Sequence, residues 1–404
     1  MPRAETRTAG WHRTRTGGFT GVLRHPVAKR LLGAKLVSEI GDFAGLAALV
    51  LLGFGATGGA IGAALVLAAR SLPALAVAAL AGSWLDQPPR RAAMVCLAVA
   101  GAAVIAVPAA APNAPTAIAA ASLLGALRAA FRSVEAAVIA ESVDPAARLP
   151  LFGLATAVNQ AAQVLGVATG ATVSLAAGAR PALIADAVSF LLAAGILARL
   201  PVAAKHARPP RAPASTGVRV IWRHATLRWL ALATLATVVS GQLPEALAPS
   251  IAHRAWVPAV MAASAAGGTV FALLVTRIAF LRRPANQLRV AIALGAALTA
   301  TGAATLLPGP DWLYALGNAA VGAGLGWLSG AQATFADLAP VALMGQVEAT
   351  MVAANTMASG AGVLLLGALA DGLAPAAAYA CGGAVVLGTA TIARRRLIDR
   401  RYTS

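Results

Sequence analysis

Twelve apolar stretches, each long enough to cross a bilayer, follow one another along this chain, and basic residues collect on every second joint between them. A helix of about 20 apolar residues spans roughly 30 Å of hydrocarbon, and Lys and Arg gather in cytoplasmic loops. The stretches fall at 32–54, 57–81, 92–110, 115–140, 150–177 and 180–200, then at 227–251, 256–280, 288–307, 311–337, 345–369 and 374–393. The basic joints carry Arg90-Arg91, Arg148, the 201–223 loop, Arg282-Arg283 and Arg394-Arg395-Arg396. Four alternate joints, Gly53 to Gly58, Pro112 to Pro115, Pro308 to Trp312 and Gly372 to Pro375, carry no basic residue. An all-α membrane protein of twelve transmembrane helices, with both termini cytoplasmic, follows.

Composition excludes the competing classes. Charged residues make up 11% of the chain, against about 25% in soluble domains. The net charge of +18 invites a nucleic-acid reading, but that needs a polar domain with a basic face. Here the basic residues mark topology. Only Arg180 and Arg254 fall on the far side, and Lys35, Arg70, Arg128 and Arg132 fall within spans. Cys96 and Cys381 sit in apolar runs and offer neither a disulfide framework nor metal-ligand spacing. The Arg-rich, acid-poor first 31 residues weakly suggest a transit peptide; a cytoplasmic tail is the simpler reading. Gly53-Phe54-Gly55-Ala56-Thr57-Gly58 satisfies G-x-G-x-x-G, but it joins two spans, whereas a dinucleotide site needs a βαβ unit. No catalytic triad or ATP-binding loop occurs, so the chain does not read as an enzyme or an ATP-driven pump.

The central loop breaks the chain in two. Pro201, Pro209, Pro210 and Pro213 stand among Lys205, Arg208 and Arg211, an extended, solvated linker. The expected organisation is a tail (1–31), a six-helix bundle (32–200), a linker (201–226), a second six-helix bundle (227–393) and a tail (394–404). A partial repeat supports it: Gly125 runs through Asp144-Pro145 to Asn159, and Gly322 runs through Ala339-Pro340 to Asn355. Both copies occupy the fourth and fifth spans of their half. Parallel repeats of this kind relate the halves of some transporters, with the substrate near the midplane between them.

Residues 82–91 read Gly-Ser-Trp-Leu-Asp-Gln-Pro-Pro-Arg-Arg on the joint after span two. Gly82, Asp86, Arg90 and Arg91 resemble the signature loop of the major facilitator superfamily. Pro89 and Gln87 depart from its usual later Gly and basic residue. Leu36 to Asp42 in span one, Gly217-Val218-Arg219 with His224 to Arg228 before span seven, and Asp186 to Phe190 in span six resemble its exporters, including the enterobactin-exporter-like and drug-efflux branch. Gly166-x-x-x-Gly170 keeps part of an exporter motif, with Ala171 and Ser174 in place of Pro and Gly, and Ala121 stands where a span-four motif has Arg. The second half lacks a good copy of the loop; Arg282-Arg283-Pro284 stands there instead. The resemblance implies that the loop is a latch. Asp86 would accept from N–H groups at a helix N-terminus, and Arg90 and Arg91 would hold helix ends. Arg90-Arg91 as topology markers alone is the plainer alternative.

Ionisable groups deep in a membrane are functional candidates by default. Glu39 and Asp42 share a face of span one, roughly 10 and 15 Å from its cytoplasmic end. Arg128, Arg132 and Glu135 form a stripe on span four, with Arg132 roughly 14 Å and Glu135 roughly 9 Å from the same side. In the superfamily fold both spans line the cavity. Matching depths predict a polar cluster of Asp42 with Arg132, with Glu39 and Glu135 beside it. Such a cluster suits proton coupling, and equally a structural ion pair. Arg70 in span two should face the interior. Glu245, beside Pro244, is a candidate gate. Gln242, Asn159, Gln160, Gln163 and Asn355 can present amides to a cavity or join helices. Asp337 and Glu348 are expected near the cytoplasmic surface.

The resemblance implies a secondary transporter working by alternating access, with proton-coupled export of a small, partly apolar molecule as its mode. Uptake or facilitated diffusion on the same fold, and a non-transporting receptor or assembly factor, are the alternatives. Expected partners are a small-molecule substrate, protons and membrane lipids, with no nucleic acid, no metal and no cofactor. The chain is expected to be a monomer in a plasma (inner) membrane, and its Ala-, Arg- and Gly-rich composition suggests a bacterial source.

Overall fold

The computed structural model describes residues 25–73, 89–143, 145–201, 215–275, 284–307, 309–340 and 343–399. Gly82 and Asp86 of the expected latch loop, and residues 202–214 of the expected linker, lie outside them. The described residues form fifteen helices and no strand. In the first half these are α1 (Pro26–Thr57), α2 (Ala60–Ser71), α3 (Arg90–Ala110), α4 (Ala114–Ser142), α5 (Pro145–Ala177) and α6 (Ala179–Leu197). The short α7 (Ser215–Arg223) precedes α8 (Ala225–Ser240), α9 (Leu243–Ile251), α10 (Val257–Val275) and α11 (Pro284–Ala304). Then come α12 (Asp311–Leu325), α13 (Trp327–Leu338), α14 (Met344–Gly372) and α15 (Pro375–Asp399). Among the described residues nine segments are long and apolar enough to cross a membrane.

Two of the expected spans are each built from two helices. Span seven is α8 and α9, interrupted at Gly241-Gln242, one residue ahead of Pro244 in the first turn of α9. Pro244 lacks the N–H an uninterrupted helix requires, and at the start of a new helix that N–H has no intrahelical partner to lose. Span ten is α12 and α13, broken at Gly326. Elsewhere the ends follow local signals. Asn113 and Thr116 close a capping box at the start of α4, and Gly58 takes φ 70° after α1, where a side chain would be strained.

Small residues set the packing, as close helix contact in lipid requires. Helix α1 is gripped on two sides. A Cβ at Gly166 or Gly170 of α5 would stand 2.5 Å from the Ile40 carbonyl oxygen or 2.3 Å from that of Ala44. On the other side, Gly41 and Gly45 make room for Ser189 and Asp186 of α6: added Cβ atoms would lie 1.9 Å from Ser189 Oγ and 2.1 Å from Asp186 Oδ2. The sequence repeat recurs here in three dimensions. A Cβ at Gly125 of α4 would meet the Arg70 carbonyl oxygen of α2 at 1.9 Å, and one at Gly322 of α12 would meet that of Ser264 of α10 at 1.7 Å. In each half the fourth span rests on the backbone of the second through the matching glycine. Helices α1–α6 and α8–α15 thus pack as two bundles, with α7 laid against α14 through Gly217 and the Gln346 carbonyl.

Candidate functional site

Six charged side chains from three spans of the first bundle join into one alternating chain. Asp42 of α1 accepts from Nη2 of Arg70 and from Nη1 of Arg128. Arg128 of α4 also donates through Nη2 to Glu39 Oε2 at 2.5 Å, and Lys35 Nζ lies 3.3 Å from Glu39 Oε1. Lys35 in turn lies 3.8 Å from Glu135 Oε2. The order Arg70, Asp42, Arg128, Glu39, Lys35, Glu135 alternates in sign, and each group lies within 4 Å of a counter-charge. Asn159 Oδ1 of α5 accepts from Arg128 Nη2 at 3.4 Å, and the guanidinium carbon stands 5.4 Å from the centre of the Phe43 ring. Buried ions survive in a low-dielectric interior only with such pairing.

The expected clustering of Asp42 with Arg132 is corrected: the partners of Asp42 are Arg128, one turn deeper, and Arg70. The error was one of depth. Helix α1 begins at Pro26 rather than at residue 32. At 1.5 Å per residue Asp42 therefore lies roughly 24 Å from its start, while Arg128 lies roughly 21 Å and Arg132 roughly 15 Å from the end of α4 at Ser142. Arg132 is exposed and takes no part in the chain of ion pairs.

Next to this chain sits Asp186, fully buried on α6 against Gly41 and Gly45, with Oδ2 lacking a hydrogen-bond partner. Ser189 Oγ donates to the Asp186 main-chain carbonyl at 2.8 Å. A hollow bordered by Lys35, Glu39, Asp42, Arg128, Phe131 and Phe190 opens beside the cluster.

The remaining candidates lie where the bundles meet. Gln163 Nε2 of α5 donates to Glu245 Oε1 of α9 at 3.2 Å. Gln242 Nε2, at the break before α9, donates to Ser71 Oγ at 3.5 Å. Arg254 Nη2 donates to the Leu175 carbonyl. Asp371 at the end of α14 accepts from the first two N–H groups of α2, Ala60 at 2.7 Å and Ile61 at 2.9 Å. Nothing in the residue pattern marks Asp371 for a role. Its position beside an outer joint was the only clue, and its target, a helix N-terminus in the other bundle, becomes visible only in three dimensions. All these cross-bundle hydrogen bonds run from mid-depth to the end opposite the basic joints. Toward the basic end, α8, α13 and α14 border a separate hollow with Thr234, Gln332, Phe335, Met351 and Asn355 on its wall. Of the latch residues described, Arg90 is buried with Nη2 3.4 Å from Glu141 Oε1, and Arg91 is exposed. No cluster of metal-ligating side chains occurs among the described residues.

Solved transporter structures share the fold at low sequence identity. A POT-family peptide transporter described as auto-inhibited superposes with a TM-score of 0.73 at 14% identity, covering 93% of this chain and 97% of its own. The nucleoside transporter NupG gives 0.68 at 9%, covering 92% and 98%. The inward-open xylose transporter XylE from E. coli gives 0.69 at 14%, covering 91% and 95%. No curated protein matches by sequence. The Major Facilitator Superfamily model matches residues 32–365. The twelve-span, two-bundle architecture and that match together place the chain in the Major Facilitator Superfamily of membrane transporters, and not among enzymes.

Proposed function

We propose that this transporter is a proton-coupled exporter of a small, partly apolar molecule, here closed at its outer end and facing the cytoplasm. The observation that carries the reading is the asymmetry between the two ends. Asp371, Gln163, Glu245, Gln242 and Arg254 tie the bundles together from mid-depth outward, while the side chains of Arg128 and Lys35 keep 22% and 15% exposure. A charge cluster closed off from one face and wetted from the other fits alternating access. The positive-inside rule assigns the wet side to the cytoplasm. Asp42, linked to guanidiniums on both α2 and α4, is the group whose pairing would change when the bundles rock, so we assign coupling to Asp42 with Glu39 beside it. The hollow in the second bundle, with Leu328, Phe335, Met344 and Met351 on its wall, favours apolar ligand surface over a sugar.

The test is a compound screen on purified protein in liposomes, as counterflow and then as net flux under an imposed pH gradient. Proton-driven flux directed from the cytoplasmic side, lost in Asp42→Asn, supports the proposal. Flux indifferent to the gradient rejects coupling, and proton-driven accumulation in the opposite sense identifies uptake.

A further inference from the structure

Within the ion-paired chain Arg70, Arg128 and Lys35 stand against Asp42, Glu39 and Glu135, and Asp186 lies buried beside it. Arg132 stands outside that chain. No described residue gives it a hydrogen bond or an ion pair, and Arg128, one turn away on the same helix, is a like charge. It is nonetheless exposed.

Its direction follows from helix geometry. Arg132 lies seven residues after Gly125, two turns along the same face of α4. At Gly125 that face is closed, pressed on the backbone of α2. Leu123, on the opposite face, is 55% exposed, as a lipid-facing residue would be. Arg132 therefore stands on an inward face that is packed at mid-depth and accessible nearer the basic end. Its electrostatic neighbours agree, with Glu39 on α1 and Arg70 on α2 beside Arg128 and Glu135 on its own helix.

The repeat identifies the corresponding positions of the second bundle. Counted from the matching glycines Gly125 and Gly322, Arg132 corresponds to Ser329 and Glu135 to Gln332. The second bundle thus offers neutral groups where the first offers charge. Its hollow is apolar with Leu328, Phe335 and Met351, and two of its polar atoms, Thr234 Oγ1 and Asn355 Oδ1, are buried with no hydrogen-bond partner. Glu348, one turn into α14, stands at its rim.

We propose that Arg132 is the anion-binding residue of the cavity, and that the transported molecule is an organic acid whose carboxylate or comparable oxyanion sits on this guanidinium while its apolar body lies against the α13–α14 wall. The substrate assignment rests on the transporter reading above. The chemistry is that of a planar guanidinium, which takes a carboxylate through two parallel hydrogen bonds and, with no carboxylate bonded to it in a cleft with low-dielectric walls, draws anions there.

The experiment is an equilibrium titration of purified full-length protein in detergent, read as thermal stabilisation. The probes are aromatic carboxylic acids such as benzoate and naphthoate, each paired with the uncharged amide of the same frame. Wild type should bind the acids in preference to the amides. Arg132→Gln, at an exposed position and so compatible with folding, should weaken acid binding about tenfold to a hundredfold, the loss expected for a charge-assisted hydrogen bond, and leave the amides unchanged. Arg132→Lys should recover part of it, and Arg199→Gln, an exposed arginine at the end of the first bundle, should change nothing. Acids and amides binding alike, no binding of either, or acid preference surviving in Arg132→Gln would each overturn the proposal. Competition with a short-chain anionic phospholipid separates the two sources of oxyanion. Acid retained on the protein supports a soluble substrate, and displacement by the lipid overturns it. Binding is measured without any gradient, so acid-selective binding without proton-driven flux would sink the exporter reading and leave this site standing.

Discussion

Removing the Asp371 carboxylate should open the outer end by an amount the structure allows to be worked out. Its two oxygens accept from the Ala60 and Ile61 N–H groups at 2.7 and 2.9 Å, so a residue of the second bundle caps a helix of the first. Gly59, the residue preceding that helix, has no side chain to do so, and a Cβ there would stand 2.3 Å from Asp371 Oδ2. The contact exists only while the bundles are closed at this end, so its loss destabilises that state alone. Deleting a helix cap costs about 0.5–2 kcal/mol, and Asp371 is exposed, which keeps the figure inside that range. Asp371→Ala should therefore shift the equilibrium toward outer opening by a factor of about 2 to 30. Asp371→Asn retains an acceptor and loses only the attraction of an anion to the helix dipole, about 0.3–1 kcal/mol, or roughly two- to fivefold. Spin labels on cysteines at Ala56 and Leu373, both exposed, with Cys96 and Cys381 replaced by Ser, would report the distance between the bundles by pulsed electron resonance. The long-distance population should rise in the order wild type, Asp371→Asn, Asp371→Ala. An unchanged distribution in Asp371→Ala would refute the idea that this cap holds the end closed.

The other expectations concern packing and pairing. Asp42→Asn leaves Arg70 and Arg128 without their shared anion and should destabilise the protein by about 3–5 kcal/mol, seen as a lower melting temperature of the purified protein. Restoration of stability by Arg128→Gln in the same chain would confirm that the loss comes from stranded charge. Gly45→Ala drives a methyl to 2.1 Å from Asp186 Oδ2 and should cost about 1–3 kcal/mol, whereas Gly33→Ala, with nothing within 4 Å, should be neutral or slightly stabilising; equal melting temperatures would reject the α1–α6 packing. Gly125→Ala and Gly322→Ala each place a methyl within 2 Å of a carbonyl oxygen of a neighbouring helix, so both should lower folded yield by comparable amounts, and a large difference would argue against equivalent packing in the two halves.

The chain's own pattern determined the architecture, because an apolar helix of bilayer length has few alternatives in hydrocarbon and basic joints fix which way it runs. The repeat from Gly125 and Gly322 was visible as spacing, and both glycines then proved to meet a carbonyl of the second span. Part of the charge cluster was also legible, since a buried stripe of Glu39, Asp42 and Arg128 must find partners. Its wiring was not. Pairing depends on where each helix starts and how far an arginine reaches, and an α1 longer than its apolar core moved Asp42 one turn relative to α4. Lys35 joins the chain through Glu39 and Glu135, and Arg70 reaches it from α2, neither of which spacing within one helix can disclose. Asp371 capping α2, Gln163 meeting Glu245 and the place of Arg132 outside the ion-paired chain were decided only by tertiary structure. They are relations between residues far apart in the chain, fixed by how two bundles dock, and periodicity within a segment carries no information about that.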